Sequence, residues 1–139
     1  ELIRALPQMH FHIAALTEMS SKLTGLGSYD NVSLYPGVKM DILDGLFAKC
    51  DYYFDINHEV EIVSAVRRAF LNNQLIFAFG ETVHNRDYVA EEHIYPVNEF
   101  KKMVSDISLA LADEAVLEDG LKKQRDAELA ETAERYAEL

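Results

Sequence analysis

Two short apolar runs with an amphipathic stretch between them, spanning Tyr52 to Phe79, limit what this chain can fold into. Tyr52-Tyr53-Phe54-Asp55-Ile56 and Leu75-Ile76-Phe77-Ala78-Phe79 are rich in strand-favouring residues and lack polar alternation. A strand that is apolar on both faces must be covered on both faces, the usual condition of a parallel sheet. Between them, Ile62, Val63, Val66, Ala69 and Phe70 recur at helical spacing from Glu61 to Leu71, and Asn72-Asn73 ends the run. Strand, helix and strand in this order make a βαβ unit. Ligands of open α/β sheets bind beyond the carboxyl ends of the strands. The first strand end offers Asp55, Asn57, His58 and Glu59 as candidate binding residues, and the second offers Gly80, Glu81 and Thr82. The polar stretch that follows, Thr82 to Glu92, adds His84, Asn85 and Arg86, because long loops inside compact domains are often functional.

The rest of the chain extends the α/β rhythm. Glu1 to Leu6 reads as the end of a helix stopped at Pro7. His10 to Leu16 and Asn31 to Tyr35 read as strands, with a short helix between them capped by Thr17 or Ser20. Asp41 to Cys50 is a helix with Ile42, Leu43, Leu46 and Phe47 on one side. His93-Ile94-Tyr95 is an edge-strand candidate closed by Pro96, and Asn98 is the expected cap of a helix through Leu111. Glu114 to Leu139 is helix-prone with a thin apolar stripe and one break candidate, Gly120. This predicts a mainly parallel, open α/β domain over 1–112 and a helical tail over 113–139 that docks on another copy or frays. The chain starts at Glu1 inside a helix, without methionine, so it reads as part of something longer whose first strand is missing. In a 3-2-1-4-5-6 sheet the strands at His10 and Asn31 then form one group, and those at Tyr52, Leu75 and Ile94 another. Either the two groups close up, or a homodimer of the fragment fills the gap.

Charge and motifs exclude several functions. The formal net charge of -11 argues against nucleic acid, whose phosphates need clustered Lys and Arg, and against direct docking on anionic lipid. Cys50 is the only cysteine, so neither an internal disulfide nor a multi-thiolate metal site forms within one chain. His10 and His12 share one strand face, a spacing that suits a metal, yet no third ligand stands nearby; a pair that sits under a helix or at a sheet edge is the preferred reading. No Gly-x-Gly-x-x-Gly, P-loop or nucleophile elbow occurs. A response-regulator-like receiver shares the βα rhythm but lacks paired acids at the end of a first strand. Asp55 fits equally a ligand-binding carboxylate and a cap of the next turn. His58 stands where helix amides favour a phosphate, but Glu59 and Glu61 already occupy that positive end. Arg67 and Arg68 have no acid three or four residues before them and read as a solvated face.

The order of the chain carries a resemblance. "FHIAALTEMSSKL" (Phe11 to Leu23), "NVSLYPGV" (Asn31 to Val38), "CDYYFDINHEVEI" (Cys50 to Ile62), "AVRRAFLNNQLIFAF" (Ala65 to Phe79) and "HNRDY" (His84 to Tyr88) resemble the C-terminal Rossmann-like domain of glycosyltransferases of GT-B architecture. The "DINH" block together with "HNR" resembles most closely the non-catalytic stabilising subunit of the accessory Sec system O-GlcNAc transferase, which glycosylates serine-rich-repeat adhesins. The donor-contacting glutamate pair of the catalytic relatives would fall near Val60 and Arg68, where this chain has neither. The resemblance therefore implies a degenerate glycosyltransferase fold with no catalytic residue, no metal and no cofactor. It implies a catalytic glycosyltransferase subunit and a serine/threonine-rich acceptor protein as partners, in the cytoplasm or at the inner face of the membrane. The alternative is the donor-binding domain of an active transferase that uses UDP-GlcNAc.

Overall fold

The computed structural model describes residues 2–56 and 64–137, with side chains to residue 128. The chain divides into two compact units, Glu1–Lys49 and Cys50–Leu139. The first holds α1 (Leu2–Ala5), β1 (Phe11–Ala14), α2 (Ser21–Gly25), β2 (Val32–Tyr35) and α3 (Met40–Lys49). Pro7 follows the end of α1, and its last carbonyls need partners. Asn31 ties this end down: its Nδ2 lies 3.2 Å from the carbonyl oxygen of Ile3 in α1, and 3.4 and 3.2 Å from those of Leu6 and Met9 beyond it. β1 and β2 pair in parallel, Phe11 opposite Val32 through Ala14 opposite Tyr35. Ser20 is the cap of α2, accepting from the Leu23 N–H at 3.3 Å. α3 buries Leu43, Leu46 and Phe47.

The second unit holds β3 (Tyr52–Asp55), α4 (Ala65–Leu71), β4 (Leu75–Phe79), β5 (Ile94–Tyr95), α5 (Phe100–Ala112) and α6 (Glu114–Ala137). β4 runs parallel to both neighbours in the order β3-β4-β5, so the strands form the two expected groups. Leu75 to Ala78 are fully buried, as a central strand requires. β3 is covered less well than its apolar run predicts: Tyr52, Tyr53 and Phe54 are half-buried, and only Asp55 is buried. α4 is described from Ala65, after Ser64 at φ 54°; the expected helix start before it lies outside the described residues.

Two expectations about the C-terminal third change. Asn98 is not a helix cap. It lies inside a 3-10 turn, Val97–Glu99, and α5 begins after Glu99 with no side-chain cap. Gly120 is not a break either, because α6 continues through it. A Cβ at position 120 would stand 3.2 Å from Leu75 Cδ1 and 3.3 Å from His93 Cε1, so the glycine lets the helix backbone approach β4 closely. Leu121 is buried beside it. Gln124 donates from Nε2 to the Gln74 carbonyl at 2.8 Å and accepts from the Ile76 N–H at 3.0 Å. The two-residue β5 pairs only with the far end of β4, and the Gln124 amide serves the near end as a strand's peptide group would. The boundary expected at 112/113 thus falls inside the second unit, where the first half of α6 is seated on the sheet.

Candidate functional site

The parallel register of β3 and β4 sets Asp55 opposite Ala78, at the carboxyl ends of both strands. There the chain turns tightly, with the N–H groups of Thr82 and Val83 both donating to the Phe79 carbonyl at 3.0 and 2.9 Å. The turn folds the loop back over the end of β3. Thr82 Oγ1, buried, donates to the Asp55 carbonyl at 2.8 Å. The Asp55 side chain is 3 % exposed and accepts from the His84 N–H at 2.6 Å through Oδ2. Its Oδ1 lies 2.5 Å from His84 Nδ1, so the ring nitrogen facing the carboxylate carries the proton. A buried carboxylate is tolerable only when it is paired and hydrogen-bonded. Both oxygens of Asp55 are engaged by His84, which makes it the anchor of the loop after β4.

Of the residues expected at the site, Asp55, Thr82 and His84 come together. Asn85 is next to them, accepting from the Asp87 N–H at 3.2 Å and so opening the 3-10 turn Arg86–Tyr88. Glu81 and Arg86 are exposed, and the Arg86 guanidinium reaches across Gly80, 3.9 Å from where its Cβ would be. Asn57, His58 and Glu59 lie outside the described residues. In the other unit His10 and His12 do share one face, with ring centroids 4.8 Å apart. His10 Nε2 meets Ser33 Oγ at 2.7 Å and His12 Nδ1 meets the Tyr35 hydroxyl at 3.0 Å, so both rings are tied to β2. Burial, then Lys49 and His10, hold His12 below the usual histidine range. Among the described residues no group of three or more His, Cys, Asp or Glu is placed to hold a metal ion. No helix among them is long and apolar enough to cross a membrane.

A second polar cluster went unread in the sequence. A cleft of about 220 Å³ opens where α5 and α6 approach β4, lined among others by Phe77, His93, Lys102, Asp106, Gly120 and Lys123. The Tyr95 hydroxyl donates to Asp106 Oδ2 at 2.6 Å, and burial with this bond pushes its ionisation well above the usual tyrosine range. Burial holds His93 below its ordinary range although Glu92 and Asp106 pull the other way. His93 read only as the start of an edge strand, and nothing in the spacing of His93 and Asp106 announces that they line one cleft.

The family model described as "GftB/GlyA-F C-terminal domain" matches residues 1–124. A Limosilactobacillus reuteri subsp. suis protein is 45% identical over 124 residues, 89% of this chain and 28% of its own length. A Streptococcus agalactiae protein is 42% identical over 138 residues, 99% of this chain and 30% of its own. Both are named UDP-N-acetylglucosamine--peptide N-acetylglucosaminyltransferase stabilizing protein GtfB. Glycosyltransferase GlyE of Streptococcus pneumoniae is 34% identical over 107 residues, 76% of this chain and 26% of its own. Among solved structures, the GtfA/B complex bound to UDP and GlcNAc matches with a TM-score of 0.84 at 39% identity, over 91% of this chain and 28% of that one. The chain therefore spans under a third of the length of these relatives.

Proposed function

We propose, from the premise that this chain belongs to the GftB/GlyA-F C-terminal domain family, that it is the Rossmann-like part of a non-catalytic subunit that stabilises a protein O-GlcNAc transferase. One observation carries the non-catalytic reading. Asp55, the carboxylate at the strand end where an α/β sheet meets its ligand, has both oxygens occupied by His84 of its own loop. These bonds join the end of β3 to the loop after β4. Arg68, in the last turn of α4, adds to this, because a cation cannot accept from the hydroxyls of a donor sugar. The names of the relatives above 40% identity point to the partner, a catalytic transferase acting on peptide with UDP-N-acetylglucosamine. The acceptor is a serine- and threonine-rich adhesin, held jointly by the two subunits in the cytoplasm or at the inner membrane face.

The test is the lifetime of the catalytic subunit. The protein carrying this domain slows thermal inactivation of its cognate transferase when the two are mixed, and by itself transfers no GlcNAc to acceptor peptide. Transfer by the purified protein alone, or an unchanged inactivation rate, overturns the proposal. The match to glycosyltransferase GlyE favours a second reading, a donor-binding domain of an active enzyme. Binding of UDP-GlcNAc separates the two.

A further inference from the structure

The cleft between α5, α6 and β4 contains one polar atom that the fold leaves unsatisfied. His93 Nδ1 is buried and has no hydrogen-bond partner among the described residues. The ring is wedged: its centroid is 4.7 Å from that of Phe77 on β4, and its Cε1 lies under the α6 backbone at Gly120. A neutral imidazole with its proton on Nε2 tolerates this seat, because only a lone pair is then left unsatisfied at Nδ1. An imidazolium carries two N–H donors and a charge, and both must be solvated or paired. The charged groups around it come from every neighbouring element: Glu92 on its own turn, Lys102 and Asp106 on α5, Asp119 and Lys123 on α6. The acids are already committed in part. Asp106 accepts from Tyr95, and Lys123 lies 3.0 Å from Asp119 and 3.7 Å from Glu92.

We propose that His93 makes the seating of α6 on the sheet sensitive to acid. Neutral, it is the floor on which Gly120 rests. Protonated, it reaches water by lifting the first half of α6, which withdraws Gln124 and opens the near end of β4. The sign follows from linkage. Burial lowers the docked state's affinity for the proton, whereas the undocked state titrates near the ordinary 6.5. The docked state then binds fewer protons, so docking is at full strength above that value and weakens as pH falls through it towards the docked midpoint. Each unit between the two midpoints makes opening about tenfold more favourable.

The experiment is an NMR titration of the chain from about pH 7.5 to about pH 5, the range in which histidine changes charge. It follows the His93 ring and the protection factor of the Ile76 amide, which Gln124 covers. The expected result is a His93 midpoint below 6.5, with Ile76 protection falling about tenfold per unit of that lowering. In His93→Phe the acid-induced fall disappears, and His93→Gln is the second variant should the larger ring disturb folding. A His93 midpoint at or above 6.5, or a fall in Ile76 protection that persists in the folded variant, overturns the proposal. So does a wild-type chain whose Ile76 protection stays constant while His93 titrates.

Discussion

Removing the Gln124 side chain tests whether α6 is part of the folded unit or an appendage to it. In Gln124→Ala the Ile76 N–H and the Gln74 carbonyl lose their partners inside a site where Gln74 and Ile76 are 1% and 0% exposed. Each buried group left without a partner costs about 1–3 kcal/mol. The two together set the expected loss at about 2–6 kcal/mol, a large share of the ~5–15 kcal/mol that holds a typical domain. Alanine is the better helix former and returns a few tenths of a kcal/mol, too little to change the sign. Gln124→Glu separates the two bonds. It keeps an acceptor for Ile76 but sets a carboxylate oxygen against the Gln74 carbonyl, so its cost at neutral pH shrinks when acid protonates the side chain. Urea unfolding followed by circular dichroism measures these differences, with the slope checked for constancy. A change under about 0.5 kcal/mol for Gln124→Ala, the size expected of an exposed residue, refutes the docking of α6.

Further substitutions probe the packing. Gly120→Val places branched carbons against Leu75 and His93, already 3.2–3.3 Å from a Cβ there, and costs about 1–3 kcal/mol by overpacking; stability equal to wild type by thermal melting argues against the close approach. Asp55→Asn puts an amide NH2 where one of the two His84 donors now bonds and costs about 1–3 kcal/mol, and Thr82→Val removes a hydroxyl bond to the Asp55 carbonyl and costs about 0.5–1.5 kcal/mol; each raises exchange of the His84 amide. Ile76→Ala costs about 2–5 kcal/mol, since the side chain is fully buried, whereas half-buried Phe54 loses less on truncation. Equal losses at the two positions in denaturant unfolding would show that β3 is covered as completely as β4.

The parts of the fold that rest on periodicity were legible. Leu75-Ile76-Phe77-Ala78-Phe79 reads as a two-face-buried strand because no polar residue interrupts it, and it is the central strand. Ser20, Pro7 and Asn72-Asn73 act through local backbone chemistry, so their effect shows in the sequence. What was not legible depends on single contacts between distant residues. Gly120 has the same letter whether it breaks a helix or admits a neighbour, and only the nearness of Leu75 and His93 decides. Gln124 looks like one more polar residue on a thinly apolar helix, yet it closes a strand fifty positions away. For the same reason the sequence leaves Asp55 open between ligand binding and capping, since its two bonds come from His84 on a distant loop. β3 misled because the apolar run Tyr52-Tyr53-Phe54 signals a need for cover without showing what provides it.

On the proposed function, the strand ends of this domain form an internal joint that does not seat a sugar nucleotide. Calorimetric titration of UDP-GlcNAc into the chain tests it directly, with UDP alone as the control. No saturable heat is expected at ligand concentrations up to about 1 mM, which corresponds to binding weaker than about 4 kcal/mol. A saturable isotherm with a dissociation constant well below 1 mM, about 4.1 kcal/mol on the same scale, that is lost in Asp55→Asn would contradict it.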